Sequence, residues 1–390
     1  MARTQRIRWL SALVGVALAV SALVVVAGSA SSSPQLPQIT PQQLIASVAR
    51  AARANGPVSG DVTARIDLGI PSLSEQLAQA APDASTLLTS LSGDHRIRMW
   101  RSADGLRVAD LVAAGERDLY VSRRDAWGWD SASYTAYHLG PFQARFGRTA
   151  IPRERTTLVP GRSSSCYVYQ CGPLLPDPNE LAARALQAID PSTSVSMEQP
   201  RRVAGRDAYV LVLQPRTGDT LVGRVEISVD AVRRVPLGVD VFPRNAVRAA
   251  VSVDFTSVSF GAIKPSTFDF SPPAGAHVVS VGDHEHGGRC DTSGGACLSA
   301  PTVRGGTDAT TVRVAPAFRT FGSGWATIDA LRLPASSQLI TGGQGRALTE
   351  LLPFSGPLFS VRLVDRGDHS WLIAGLVPQA ALVKVQAELL

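Results

Sequence analysis

Two blocks of this chain alternate apolar and polar side chains at every second residue, and that period confines both to β-structure. In the first block Val62, Ala64, Ile66 and Leu68 alternate with Thr63, Arg65 and Asp67, and His95 to Trp100 repeats the pattern. Short segments at 106–111, 118–122, 126–130 and 134–139 follow, parted by turn residues such as Asp104-Gly105 and Ala114-Gly115. The second block runs through 206–213, 221–229, 236–242 and 249–260 and ends at Phe268-Asp269-Phe270-Ser271-Pro272-Pro273. Each block predicts an antiparallel meander with one apolar face and one face carrying Arg and Asp.

Helical periods frame the strands. Thr40-Pro41 opens a helix whose apolar face is Leu44, Ile45, Val48 and Ala52, with Thr40 as cap and Pro41 in the first turn. Pro71 to Leu91 returns to helical spacing, interrupted at Pro82. Asp177-Pro178-Asn179-Glu180 starts another helix: Asp177 caps, Glu180 sits at the capping-box position, and Leu181, Ala185, Leu186 and Ile189 form the buried face. Residues 140–176 read as a surface insertion, and 281–311, rich in Gly, Ser, Asp and Thr, as a linker. The remaining 312–390 form a small module. It has a strand at Trp325–Ile328, a helix at Arg346–Leu351, and a hairpin of Phe359–Val364 with Ser370–Leu376 around Arg366-Gly367-Asp368. A closing helix runs from Pro378 to Leu390.

The N-terminus carries an export signal. Arg3, Arg6 and Arg8 precede an apolar run from Leu10 to Val26, and Ala27-Gly28-Ser29-Ala30 supplies small residues for cleavage. Residues 1–30 are a signal peptide or a retained membrane anchor, because a run of that length falls at the short end of what spans a bilayer. Either way the rest is extracytoplasmic, secreted or held at the membrane, and 31–39 is a Ser/Pro/Gln linker. Cysteine usage agrees: Cys166 with Cys171 and Cys290 with Cys297 form two close pairs, read as disulfides in an oxidising compartment. Four cysteines permit three connectivities, and the short spacings favour local loops.

Charge argues against nucleic acid. The 38 basic and 32 acidic residues give a formal +6, which falls to +3 once the three N-terminal arginines are set aside, and no basic stripe interleaves with aromatics. No Gly-x-Ser-x-Gly elbow, His-Glu-x-x-His helix or phosphate-cradling glycine loop is present, and the six histidines are scattered. A non-catalytic protein without cofactors is expected. Asp283, His284, Glu285, His286, Cys290 and Cys297, with His277 nearby, contain metal-ligating types but follow no zinc spacing. A solvated, disulfide-tied linker is the simpler reading, so no metal is assigned.

The second block, LVLQPRTGDTLVGRVEISVDAVRRVPLGVDVF at 211–242 with VSVDFTSVSF at 251–260 and STFDFSPPAGA at 266–276, closely resembles actinobacterial LolA-like proteins, also grouped with the MucB/RseB sigma-E regulatory proteins. TPQQLIASV at 40–48, VSGDVTARIDLGIPSL at 58–73, GDHRIRMW at 93–100 and GSGWATI at 322–328 resemble them too. The resemblance implies an α+β fold: a strongly curved antiparallel β-sheet, an incomplete barrel with helices lidding its concave face, over 40–280, plus the small C-terminal α/β module. It also implies an outer-membrane lipoprotein carrier or lipid-binding protein that takes lipid or lipoprotein acyl chains into the concave face. The alternatives are an RseB-like envelope-stress sensor that binds a membrane-anchored anti-sigma factor, and an accessory protein of an ABC export system. On this reading the inward positions Ile66, Leu68, Ile97, Met99, Val108, Leu119 and Val121 line the ligand cavity, although an ordinary hydrophobic core accounts for each equally well. Trp127, Trp129, Tyr134 and Tyr137 are candidates for the cavity mouth, against ordinary edge packing.

Overall fold

A computed structural model of the chain describes residues 34–71, 89, 92–112, 115–140, 177–187, 189–280, 318–334, 349 and 351–389. The expected leader at 1–30, the helical stretch within 72–91, the insertion within 140–176, the linker at 281–311 and all four cysteines lie outside the described residues.

Helix α1 (Pro41–Ala54) starts where the sequence places it. The Thr40 hydroxyl accepts from the Gln43 amide at 3.2 Å, and the Thr40 amide donates to the Gln43 side chain at 2.9 Å. This reciprocal cap satisfies two amides that the first turn leaves unpaired. Leu44 and Val48 are buried; Ala52, expected on the same face, is exposed.

Twelve strands then build one sheet. The first meander is β1 (Val58–Ile66), β2 (Gly93–Ser102), β3 (Gly105–Val112), β4 (Gly115–Ser122), β5 (Ala126–Asp130) and β6 (Thr135–Gly140). The second is β7 (Thr193–Val203), β8 (Arg206–Pro215), β9 (Val222–Asp230), β10 (Pro236–Pro243) and β11 (Val251–Ser259); β12 (His277–Ser280) comes last. Their order is β12-β6-β5-β4-β3-β2-β1-β11-β10-β9-β8-β7, so the two meanders meet at a single seam between β1 and β11. Every pairing is antiparallel except that of β12 with β6, which is parallel and corrects the purely antiparallel expectation. The sheet curves without closing into a barrel: β7 and β12 are its two edges, yet β7 comes back into contact with β11.

Strand β7 is absent from the sequence reading. It carries Pro200, which cannot donate to a ladder, and the pairing with β8 slips between Glu198 and Arg201. A proline at a bulge on an edge strand is where a sheet tolerates one, and the bulge with Arg201 and Arg202 blunts that edge against further pairing.

Helix α2 (Pro178–Gln187) is capped by Asp177, whose carboxylate accepts from the amides of Asn179 at 2.7 Å and Glu180 at 2.9 Å. Glu180 turns to Arg184 one turn on, at 2.6 Å. Helices α1 and α2 lie on one face of the sheet, where Leu44, Val48 and Ala182 pack with Leu211, Ile227 and Val239. Each such aliphatic side chain contributes roughly 1.5–3 kcal/mol when fully buried. This is the inner face.

A second, five-stranded sheet is ordered β13-β14-β17-β16-β15, from β13 (Phe318–Phe321), β14 (Ile328–Pro334), β15 (Phe354–Ser355), β16 (Ser360–Asp365) and β17 (His369–Gly375). Helix α3 (Gln379–Glu388) packs Leu382 and Val385 onto Val364, Trp371 and Ile373. The hairpin and closing helix agree with the sequence. The strand placed at Trp325–Ile328 does not: Gly324–Ala326 is a short 3-10 turn, and the strand begins at Ile328. Of the helix expected at 346–351, the described residues include only Thr349 and Leu351.

The two sheets are joined. Trp325 inserts into the core formed by Leu44, Tyr209 and Leu358, and its indole donates to the Thr193 hydroxyl at 2.8 Å. The Leu376 carbonyl accepts from the Leu221 amide at 2.8 Å and from the Thr220 hydroxyl at 2.6 Å.

Candidate ligand-binding face

Cross-strand partners share a face of a sheet, so the register assigns the inner face residue by residue. One rung runs Met99–Val108–Leu119–Gly128–Tyr137 and a neighbouring rung Leu106–Val121–Ala126. Ile66, Ile97, Met99, Val108 and Val121 are all buried on this face, with Leu119 half-buried among them. Leu68, just past β1, packs against the apolar residues of both meanders. All seven inward candidates therefore share one surface, and Tyr137 of the four mouth candidates stands on the same rung.

Trp129 and Tyr134 do not. Trp129 pairs with Asp118, one residue out of phase with Leu119, and so belongs to the outer face. There it packs on Phe270 at 5.8 Å and edge-on to Tyr134 at 5.3 Å. Phe270 also contacts Tyr120 at 4.8 Å and Trp127 at 5.7 Å, so the chain returning after β11 straps an aromatic cluster onto the outer face. Trp127 stacks on His138 at 4.3 Å, and Asp125 accepts from both the Trp127 indole and His138. Arg107 lies between the Trp100 and Tyr120 rings, at 4.8 and 4.7 Å, and pairs with the fully buried Asp118 at 2.8 Å. Burial and the bonded Asp118 carboxylate push the Tyr120 hydroxyl well above its ordinary value.

Two open grooves adjoin the sheet. One of 330 Å³ lies where the inner face runs out, lined by Ile66, Leu68, Gly69 and Ile70 with Arg65, Asp67 and Ser92–Asp94. That volume is near the lower end of the ~300–1,000 Å³ usual for ligand sites. The other, of 240 Å³, follows the outer side of the seam and is lined by Ser59, Asp61, Arg98, Trp100, Ser257 and Val258. Loop Gly356–Leu358 of the second sheet abuts the first groove: Gly356 is so close that a Cβ there would meet the Leu68 carbonyl at 2.4 Å.

One rung of the inner face is polar. Ile97 pairs with Asp110, then Arg117, Asp130 and Thr135, and His95 lies diagonal to Asp110. His95 is 9% exposed and Asp110 4%, with 3.7 Å between His95 Nδ1 and Asp110 Oδ2. His95 Nε2 donates to the Ser92 carbonyl at 3.0 Å. The Asp110 carboxylate, helped by the Ser92 carbonyl, holds the imidazole above its ordinary 6.5 against the opposing effect of burial. A folded value above the unfolded one means that this stabilisation is complete below about pH 6.5 and is lost as pH rises through the folded value. The thermal midpoint should therefore drop as pH rises above about 6.5 in the native protein, and this drop should vanish in His95→Gln. An unchanged pH profile in the variant would contradict the assignment.

Neither residue is singled out by the sequence reading, although a signal exists. His95 has the parity of Ile97 and Met99, and Asp110 that of Leu106 and Val108. The histidine and cysteine cluster at 283–297 lies outside the described residues. Among the described residues no helix is long and apolar enough to cross a membrane.

No family model and no curated protein matches the sequence. Solved structures do. The chain is similar to a Pseudomonas aeruginosa MucA/MucB complex at 16% identity, over 88% of this chain and 96% of that one, with a TM-score of 0.42. It is also similar to the LolA superfamily protein NE2245 from Nitrosomonas europaea at 10% identity, over 60% and 99% of the two chains, with a TM-score of 0.22. An uncharacterised conserved protein from Thermus thermophilus is similar at 10% identity, over 61% and 98%, with a TM-score of 0.33.

Proposed function

We propose that this is an extracytoplasmic, non-catalytic binding protein that holds acyl chains against the β1–β4 part of its inner face. The observation that carries the reading is how the described helices are distributed. Helix α1 sits by β7 and α2 on β10 and β11, and among the described helical residues Leu181 alone packs against the cluster that β1–β3 form with Ala208, Leu237, Val253 and Phe255 of the second meander, side chains that an entering acyl chain would have to part. A row of apolar side chains, Ile97, Met99, Val108, Leu119 and Val121, thus leads from the groove at Ile66–Ile70. Burial of an alkyl chain there needs no covalent step and is driven by about 0.8 kcal/mol per methylene.

A second reading has its own support. A carrier needs one sheet, whereas here a second sheet is anchored by Trp325 and touches the groove through Gly356 and Pro357. Occupancy of the groove would be felt by the second sheet, as a stress sensor that answers to lipid while binding a membrane-anchored regulator requires.

Native mass spectrometry of protein purified from its own membranes tests both readings. A stoichiometric acyl species is the expected result for the carrier. An empty protein that captures the extracytoplasmic domain of a membrane regulator would favour the sensor, and a protein that never retains an acyl species would end the first reading.

A further inference from the structure

We infer that the inner face holds the polar head of its amphiphile at Asp110, and that this head is a hydrogen-bond donor. The inference rests on the acyl-binding reading above and specifies its ligand. The geometry comes from the order of the rungs away from the groove. Nearest the groove stand Ser92 and Gly93, then His95, then Asp110 and Arg117, and only beyond them Met99, Val108 and Leu119. A chain entering tail first would leave its head level with Asp110.

Asp110 is built to receive something. Its side chain is almost wholly removed from water, yet Oδ1 has no hydrogen-bond partner. Oδ2 faces the His95 ring at 3.7 Å, beyond hydrogen-bond length. Arg117, its partner across the ladder, is turned to Asp130 at 3.4 Å. A buried carboxylate oxygen left unpaired in an apolar setting is unfavourable and is rarely kept without compensation. The missing partner is a donor. A hydroxyl, an amide N–H or an ammonium group supplies one; an ether or ester oxygen does not, and a free carboxylate would be repelled.

Displacement of a fluorescent long-chain alcohol reporter by 1-dodecanol and by its isostere methyl undecyl ether isolates the donor. The alcohol is expected to bind the native protein about tenfold more tightly, the scale of one hydrogen bond to a charged group. Asp110→Leu is expected to abolish that preference. Equal affinities in the native protein would overturn the inference while leaving the acyl reading intact, as would a preference that survives in Asp110→Leu. Failure of both ligands to bind the native protein would remove the acyl reading and this inference with it. Should the variant not fold, the comparison in the native protein decides alone.

Discussion

Trp325→Ala is expected to lower stability by about 3–5 kcal/mol, the range for truncating a large aromatic in a core, and to split denaturant unfolding into two steps. The indole is 8% exposed and enters the core of the first sheet beside Leu44 and Leu358, although it belongs to the turn that leads into the second. Its hydrogen bond to Thr193 is buried as well. The turn is poised for this insertion: Gly324 has φ +57 and sits against Asp190 and Ser192, where a side chain would collide. With the ring removed, Leu358 in the same core, the close approach of Gly356 to Leu68 and the hydrogen bonds to the Leu376 carbonyl remain as ties between the sheets. Trp325→Phe should keep most of the packing and lose about 1 kcal/mol for the hydrogen bond. Urea titration followed by circular dichroism reads both effects. A single transition with less than about 1 kcal/mol lost in the alanine variant would show that the sheets are not joined through this residue.

The seam between the meanders should be equally intolerant. A Cβ on Gly60 would stand 2.0 Å from the Ser257 carbonyl oxygen and 3.1 Å from the Phe255 ring. The obstacle at 2.0 Å is backbone, so it cannot swing away. The pairing of β1 with β11 already slips beside it, between Asp61 and Val62, where Asp61 takes hydrogen bonds from Ser257 and Arg98. Gly60→Ala is expected to cost about 3 kcal/mol, at the upper end of what overpacking does. Gly56, with open space around it, provides the control: Gly56→Ala should change stability by no more than about 0.5 kcal/mol. Parallel thermal melts of the two variants decide the matter, and equal midpoints would refute the close approach.

Local pattern carried most of the first meander. β5 begins and ends at the residues the alternation gives, because Asp125 and Asp130 bracket a five-residue run between turns. The second meander was legible from β8 onward for the same reason. Its first strand was hidden by Pro200 and by a polar sequence that suits an edge, and β12 by being four residues long and paired to a distant strand. The site was half legible. Parity along one strand says which residues share a face; which of the two faces is inner depends on register and on where α1 and α2 settle. That is why Trp129 and Tyr134 pass for mouth residues in the sequence when they belong to the outer aromatic cluster. It is also why Asp110 goes unmarked there, since nothing local reveals that a carboxylate has been left without a donor.

The single seam also governs when the molecule can be finished. Asp61 and Ser257, which bond across it, are 196 residues apart. Every other antiparallel neighbour in the large sheet follows its partner in sequence, so hairpins on both sides can zip early, while this contact, like the parallel pairing of β12 with β6, must wait for most of the chain. A polypeptide delivered amino terminus first therefore presents one flank of β1 bare until Val251–Ser259 arrives. Its Val62, Ala64 and Ile66 are then free to pair with any passing strand. The joint that makes the curved sheet continuous is thus its most vulnerable point during assembly, and fragments ending before residue 251 should clump while the full chain stays dispersed.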